Sequence, residues 1–264
     1  MKGHNIESWP DGGLSSSVGG KSKQEYLDEF LKNKFGQIMK SAGIETLNCM
    51  KLAHYLPEYQ KLFSDFDGLR VNMLEIGVQH GGSYRIWKNF FGEDLLRWTG
   101  IDINQKCLAL NNQLAPEKGL VCCGSQADPV FLEEVASQRG EFDVIIDDGS
   151  HQSEHIIASF ETLAKHVRDG GLYIVEDVHA CYWKGFRGDS DSSNALSYFL
   201  GLAHSLNTQA TRHERCSKNL SPDELVTPPA LIRKIELLPS MIICHMGVPL
   251  PMIEWKAGMK SVII

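Results

Sequence analysis

The chain has 264 residues, of which 42% are hydrophobic and 22% charged, and its formal net charge is −7. This length and composition predict a globular protein with one sizeable α/β domain and an extension. The acidic balance disfavours a nucleic-acid partner, and no apolar run approaches the length of a membrane span. The N-terminus lacks the apolar core of a signal peptide, and seven scattered cysteines do not suggest a disulfide framework. We therefore expect a cytoplasmic protein without a nucleic-acid or membrane partner.

The N-terminal quarter of the chain carries two different patterns. Residues 1–21 are rich in Gly and Ser and show no periodicity, which predicts a flexible arm. Over residues 22–66, apolar side chains recur at helical spacing and predict a helical cap, with Pro57 marking a kink or break. Residues 67–264 are expected to form the main domain.

Short apolar runs alternate with helix-like stretches in this main domain. The strand-like runs lie at 71–77, 97–103, 119–124, 142–148 and 171–177. The helix-like stretches between them lie at 83–92, 105–114, 128–138 and 153–167. Such alternation predicts a parallel sheet with helices on both faces. Residues 233–249 read as two strands around a tight Pro-Ser turn, which predicts an antiparallel hairpin closing the sheet.

A glycine-rich loop follows the first strand of this pattern. Ligands of open parallel sheets bind at the carboxyl ends of the strands, and Gly77 and Gly81 allow a close backbone approach there. Asp102 lies near the spacing at which an acidic residue binds a ribose hydroxyl. The loop lacks the motifs of dinucleotide and P-loop sites, which favours a nucleoside ligand without phosphates. S-adenosylmethionine (SAM) is such a ligand, and Glu75 would face its amino group. The alternatives are a simple tight turn and, for Asp102, a helix cap.

Two successive strands end on paired carboxyl groups, in "FDVIIDD" and "GLYIVED". Because side chains alternate along a strand, Asp147 and Asp148 should point to opposite faces. If the two strands are neighbours, Asp148, Glu176 and Asp177 converge and require a shared proton or a cation. Neither motif contains Lys or Arg, so a divalent metal is the simpler explanation, with oxygen ligands favouring Mg²⁺ or Mn²⁺. The alternative is that these residues cap the helices that follow.

Three further side chains lie just past these strand ends. His151 follows a tight turn and enters the next helix, where a neutral imidazole beside a metal is suited to accept a proton. His179 follows the second acidic strand end, and its role stays open. Tyr182 and Trp183 lie in a long loop with little hydrophobic pattern, where they either anchor the loop or form a platform for a substrate.

These motifs together resemble a known family. "MLEIGVQHGGS", "GIDIN", "IDDGSH", "VEDVHACYW", "LAHYLPEYQKLF" and the terminal hairpin with "WKAGMK" are similar to metal-dependent class I SAM O-methyltransferases of the mycinamicin and elloramycin sugar-methylating type. The resemblance implies a Rossmann-like α/β fold, with a mostly parallel sheet, a C-terminal antiparallel hairpin and an N-terminal helical cap. It also implies a homo-oligomer that methylates a hydroxyl of a small-molecule glycoside.

The resemblance and the sequence patterns described above together assign roles to individual residues. His151 is the expected base, and Asp148, Glu176 and Asp177 are the expected ligands of Mg²⁺ or Mn²⁺. The predicted cofactor-binding residues are Glu75, Gly77, Gly81, Ser83, Asp102, Gln126 and Asp147, and Asp128 is a possible adenine-side contact. His179, Tyr182 and Trp183 are the predicted substrate contacts. The alternative functions are an NAD-dependent oxidoreductase, another Rossmann-like enzyme such as a cephalosporin hydroxylase-like protein, and a non-catalytic SAM-binding subunit.

Overall fold

The structure of the chain is a computed structural model. It describes residues 17–18, 21–41, 48–186, 194–207 and 228–249. The chain divides into two compact units, which are Met1–Leu69 with His80–Glu93, and Arg70–Gln79 with Asp94–Ile264. No helix in the described ranges is long and apolar enough to cross a membrane. The predicted flexible arm lies almost entirely outside the described residues.

The first unit consists mainly of helices. Its described residues form a short antiparallel ribbon and four helices. These elements are β1 (Ser17–Val18), β2 (Lys21–Ser22), α1 (Lys23–Phe30), α2 (Lys34–Ser41), α3 (Tyr55–Phe63), the 3-10 turn Ser64–Phe66 and α4 (Gly82–Phe91). Ser22 caps α1 by accepting a hydrogen bond from the Glu25 amide, while the Glu25 carboxylate accepts one from the Ser22 amide. Helices α1 to α3 lie within the predicted cap region, and α4 joins them from later in the chain.

Aromatic side chains form the core of this unit. Phe35 of α2 stacks on Phe90 of α4 with ring centroids 4.0 Å apart, and Trp87 packs edge-on against Phe35 and against Phe63 of α3. Pro57 does not interrupt α3, because it is the third residue of that helix. Amides of the first turn have no partner within the helix, so a proline there removes no helical hydrogen bond.

The second unit is built on a seven-stranded sheet. Its strands are β3 (Val71–Ile76), β4 (Leu96–Asp102), β5 (Gly119–Cys123), β6 (Phe142–Asp147), β7 (Val167–Val175), β8 (Ile232–Leu238) and β9 (Met241–Met246). The order is β5-β4-β3-β6-β7-β9-β8, in which β3 to β7 are parallel and β9 pairs antiparallel with both β7 and β8. The predicted mostly parallel sheet with a C-terminal antiparallel hairpin is confirmed.

Helices connect these strands. They are α5 (Pro129–Arg139), α6 (Ser153–Leu163) and α7 (Ala195–Ser205), with 3-10 segments at Gln105–Gln113, Ala164–His166, Val178–Tyr182 and Lys184–Phe186. The segment predicted as a helix at 105–114 is thus a 3-10 helix. Within it, the Asn111 side chain pairs with both the amide and the carbonyl of Val121 on the edge strand β5. These two hydrogen bonds hold the 3-10 helix against the edge of the sheet.

The order of the three central strands determines where the acidic strand ends lie. β6 is buried at all six positions and runs between β3 and β7. Ile76, Asp147 and Val175 share one register level across these strands. The residues that follow them therefore leave the same edge of the sheet side by side, where ligands of such folds bind.

Candidate metal and cofactor site

Main-chain hydrogen bonds continue past the last paired residues of the central strands. The Asp148 amide donates to the Ile76 carbonyl at 3.0 Å, and the Glu176 amide donates to the Asp147 carbonyl at 2.9 Å. The loops after β3, β6 and β7 are thus held against one another at their starts. This arrangement fixes the spacing between the two acidic motifs.

Asp148, His151 and Asp177 form a cluster at this edge. The His151 Nε2 lies 3.9 Å from the Asp148 Oδ1 and 3.9 Å from the Asp177 Oδ2, and one potential ligand atom from each residue lies within 4.8 Å of the other two. Two ligands of one Mg²⁺ bound at ~2.1 Å are at most ~4.2 Å apart. The three side chains, all partly buried, therefore come close to the spacing that one divalent cation requires.

The structure brings together two of the three predicted metal ligands. Among the described residues, the candidate metal cluster contains His151 and does not include Glu176. Glu176 directly precedes Asp177 and is buried, with 1% of its surface exposed. The assignment of Glu176 as a metal ligand stays a prediction. The strand-end pattern did not predict that His151 lies close to the carboxylates of both Asp148 and Asp177.

Two members of the cluster have a left-handed backbone. His151 has φ 57°, and Asp177 has φ 54° and ψ 35°. This region is uncommon for residues other than glycine and is found often at functional sites. At Asp177 the chain leaves β7 and turns into a 3-10 helix, so the left-handed residue redirects its side chain at the strand end.

Two predicted cofactor contacts, Gln126 and Asp147, lie in the interior. Asp147 is 1% exposed and accepts hydrogen bonds from the Ser159 hydroxyl of α6 at 2.5 Å and from the Gln126 side-chain amide at 3.0 and 3.2 Å. Burial raises the pKa of Asp147 to about 6, against the opposite effect of the Ser159 and Gln126 hydrogen bonds. Asp147 is thus buried among Gln126 and Ser159, whereas its neighbour Asp148 belongs to the cluster with His151 and Asp177.

The glycine loop is ordered by an acidic side chain from the next strand. The Asp102 Oδ2 accepts hydrogen bonds from the amides of Val78 and Gln79, both at 2.9 Å, and its Oδ1 accepts one from the Asn104 amide at 2.8 Å. Asp102 therefore joins the end of β4 to the loop after β3. Gly77, at the start of that loop, has φ 94° and lies against the main chain of Asp148.

The remaining predicted cofactor residues have well-defined local environments. Glu75 is buried in β3 and accepts a hydrogen bond from the Trp98 indole at 3.0 Å. Gly81 and Ser83 belong to the first unit, where Gly81 adopts φ 72° before α4 and Ser83 is buried. Asp128 caps α5 by accepting hydrogen bonds from two of its first amides.

Aromatic rings extend from the cluster along the loop after β7. Phe186, which the sequence did not single out, lies with its ring centroid 6.0 Å from that of His151 and 5.9 Å from that of Trp183. Trp183 also packs against His179 at 4.6 Å and is 43% exposed, while Tyr182 is 66% exposed. Trp183 thus has both packing contacts and a free surface, so the roles of loop anchor and of substrate platform are compatible.

The hairpin turn supports this loop. His179 Nδ1 hydrogen-bonds to the Ser240 hydroxyl, and the Val178 amide donates to the Ser240 carbonyl at 3.0 Å. Ser240 itself has φ 65° in the turn between β8 and β9. Its contact with the site was not evident from the sequence, because the two segments are 61 residues apart.

Comparison with known proteins shows that this chain is similar to methyltransferases. Residues 74–178 match the family described as a methyltransferase domain. The chain is 42% identical over 159 residues to demethylmacrocin O-methyltransferase of Streptomyces fradiae, covering 58% of this chain and 38% of the relative. It is 38% identical over 167 residues to mycinamicin VI 2''-O-methyltransferase of Micromonospora griseorubida, covering 61% and 40%. The matched region thus spans about two fifths of each of these relatives.

A solved structure shares the fold as well. The MycE methyltransferase from the mycinamycin biosynthetic pathway, in complex with Mg, SAH and mycinamycin VI, has a TM-score of 0.66 and 29% identity, covering 83% of this chain and 56% of that one. The resemblance indicated by the sequence motifs is confirmed. Residues 74–178 match the methyltransferase-domain family, and the chain is similar over that region to O-methyltransferases of natural-product sugars.

Proposed function

We propose that this protein transfers a methyl group from SAM to a sugar hydroxyl of a natural-product glycoside and requires a divalent metal. The observation that carries the proposal is the His151 Nε2, 3.9 Å from two carboxylates that leave adjacent strands of the sheet. The relatives support the same chemistry. Two of them are O-methyltransferases of demethylmacrocin and mycinamicin VI, and the MycE structure is a complex with Mg, SAH and mycinamycin VI.

The cluster divides into metal-binding and proton-accepting groups. Asp148 and Asp177 would hold Mg²⁺ or Mn²⁺ through carboxylate oxygens, with Glu176 as a further proposed ligand. When bound, such a cation lowers the pKa of an acceptor hydroxyl and stabilises its developing negative charge. His151 is proposed as the base, although its position in the cluster would also permit it to bind the metal. The two roles predict different effects of its substitution.

In the proposed transfer, each bond that forms is matched by a bond that breaks. The His151 Nε2 accepts the proton of the acceptor hydroxyl, and the oxygen lone pair attacks the methyl carbon of SAM. The new C–O bond forms as the bond between the methyl carbon and sulfur breaks, and its electron pair stays on sulfur to give neutral S-adenosylhomocysteine (SAH). The protein contributes mainly by holding acceptor and donor in line.

Cofactor and acceptor are proposed to bind through separate groups. Gly77 and Asp102 are the proposed cofactor contacts best supported by their position, because Asp102 holds the two amides that follow Gly77 at the edge where ligands of this fold bind. Glu75, Gly81 and Ser83 keep the assignment made from the resemblance. On the acceptor side, the exposed faces of Trp183 and Tyr182 offer apolar surface to the C–H face of a sugar ring.

Binding and turnover measurements test the proposal. Calorimetry should show SAH binding to the purified protein, and mass spectrometry should show a gain of one methyl group on macrolide or rhamnosyl glycosides. Exhaustive EDTA treatment should abolish turnover, and Mg²⁺ or Mn²⁺ should restore it. Turnover that persists after chelation would remove the metal from the mechanism, and binding of NAD without SAH would favour the oxidoreductase alternative.

We also propose that the protein forms a homo-oligomer, as the resemblance implies, and that it acts in the cytoplasm, as the scattered cysteines predict. Light scattering coupled to size-exclusion chromatography measures the mass of the particle directly. A monomeric mass across the working concentration range would contradict the oligomer, and recovery of the native protein outside the cytoplasmic fraction would contradict the location.

A further inference from the structure

The side chain of Gln126, a buried residue that follows β5, forms a hydrogen bond with the loop that carries Asp148 and His151. Gln126 follows β5 and is 7% exposed. Its side-chain nitrogen donates to both oxygens of Asp147, at 3.0 and 3.2 Å, and its side-chain oxygen accepts from the Ser150 amide at 2.6 Å. One side chain thus bridges the interior carboxylate to the residue immediately before His151.

The partners define the orientation of this amide. A carboxylate can only accept a hydrogen bond, so the nitrogen must face Asp147, and a main-chain N–H can only donate, so the oxygen must face Ser150. Rotating the amide by 180° would break both interactions at once. Gln126 therefore uses both ends of its amide group within the protein.

Other contacts leave this loop little freedom around the bridge. The Ser150 hydroxyl bonds to His155 Nδ1 at 2.9 Å and accepts from the Gln152 amide at 3.3 Å. A side-chain carbon on Gly149 would lie 2.1 Å from the Gln126 oxygen, so the loop also lies sterically against the glutamine. His151 keeps its left-handed backbone between these fixed neighbours.

We infer that Gln126 is a positioning residue, which sets the backbone between Asp148 and His151 and thereby the spacing of the metal-binding cluster. This role differs from the cofactor contact that the resemblance assigned to Gln126. It rests on the proposed function, since it presumes that the cluster binds a divalent cation. Residues that orient metal ligands from behind typically change metal affinity by ~10–100-fold when they are replaced.

The decisive test compares metal affinity with cofactor affinity in Gln126→Met. This change retains much of the side-chain volume and removes both hydrogen bonds. Positioning predicts a Kd for Mn²⁺ raised by about tenfold or more, measured by electron paramagnetic resonance, with the Kd for SAH within about twofold of wild type. A cofactor contact predicts the reverse, with weakened SAH binding and unchanged Mn²⁺ affinity. Gln138→Met, on an exposed glutamine of α5, is the matched control and should change neither constant.

Two further variants separate positioning from general loss of stability. Ser159→Ala removes another hydrogen-bond donor to the Asp147 carboxylate but does not change the loop that carries Asp148 and His151. It should therefore lower Tm and leave Mn²⁺ affinity within about twofold of wild type. Gly149→Ala leaves Gln126 in the sequence but overlaps its oxygen, so it should weaken Mn²⁺ binding by about tenfold, as Gln126→Met does. Equal losses of Mn²⁺ affinity in Ser159→Ala and Gln126→Met would overturn the inference.

The outcomes also distinguish this inference from the proposed function. A wild-type protein that binds neither Mn²⁺ nor SAH would contradict the function itself, and the positioning role would be withdrawn with it. A wild-type protein that binds both, together with a Gln126→Met variant whose Mn²⁺ affinity is unchanged, would contradict the positioning role alone.

Discussion

A side-chain carbon built on Gly77 would lie 2.0 Å from the main-chain oxygen of Asp148, well inside any non-bonded contact. The loop after β3 and the acidic loop after β6 therefore touch through their backbones, and only glycine permits that approach. Gly77 also has φ 94°, which disfavours any other residue.

Gly77→Ala should accordingly destabilise the fold by more than its backbone angle alone explains. Gly170→Ala is the matched control, because Gly170 has φ 82° in the same unit and no atom within 4 Å of the added carbon. We expect Gly170→Ala to cost ~1–2 kcal/mol in unfolding free energy. Gly77→Ala should cost a further ~1–3 kcal/mol from the overlap. Urea denaturation measures the unfolding free energy of both variants. Equal losses of unfolding free energy would show that the two loops can move apart without destabilising the fold.

Asp102→Asn tests whether the carboxylate orders the glycine loop. Its two oxygens accept three main-chain N–H groups, and an asparagine keeps only one accepting atom. We expect a loss of about 1.5–3 kcal/mol in stability, typical of hydrogen bonds to a charged group, and weaker SAH binding. Asp128→Asn should be nearly neutral, because asparagine caps a helix about as well as aspartate. A similar Tm for the two variants would leave Asp102 without an ordering role.

His151→Ala tests the base. A positioned base contributes ~10²–10⁴-fold, so kcat should fall by about that factor at saturating Mg²⁺ while SAH affinity is retained. A metal-ligand role would instead weaken Mn²⁺ binding, which His204→Ala, on an exposed histidine of α7, should not affect. Wild-type kcat in His151→Ala would place the base elsewhere.

Trp183→Ala tests the acceptor platform. Removing an indole that offers an exposed face beside His179 should raise the KM for a glycoside by about tenfold, equal to ~1.4 kcal/mol. The Kd values for SAH and Mn²⁺ should not change, and Trp183→Phe should recover part of the loss because it keeps an aromatic face. A lower Tm with an unchanged KM would identify Trp183 as a loop anchor only.

The strand ends could be predicted from the sequence because their signal is local. An apolar run that stops on carboxylates predicts the strand and the carboxylates at its end, as at Asp148 and Asp177. The direction of each side chain was harder to predict. Strand alternation correctly separated Asp147 from Asp148, but the contact of Asp147 with Ser159 depends on how α6 packs on the sheet. The Gln126 bridge likewise depends on a strand that lies three positions away from β6 in the sheet order.

The position of α4 could not be predicted either. Its sequence is an ordinary amphipathic helix between two strands, which predicts packing on the sheet. In the structure it belongs to the first unit, because Trp87 and Phe90 have aromatic partners from α2 and α3. Nothing in the alternation of strands and helices encodes that choice, since it depends on side-chain partners that lie earlier in the chain.

The bond between His179 and Ser240 has a consequence for the order in which the molecule assembles. Sixty-one residues separate the two partners, and β9 must insert between β7 and β8 before the turn reaches the loop. Contacts of such sequence separation are slow to form, because a long loop must close first. On the ribosome, the strands β3 to β7 leave the exit tunnel well before the hairpin does. The loop that carries the aromatic rings therefore receives its support from Ser240 only after the hairpin has been synthesised.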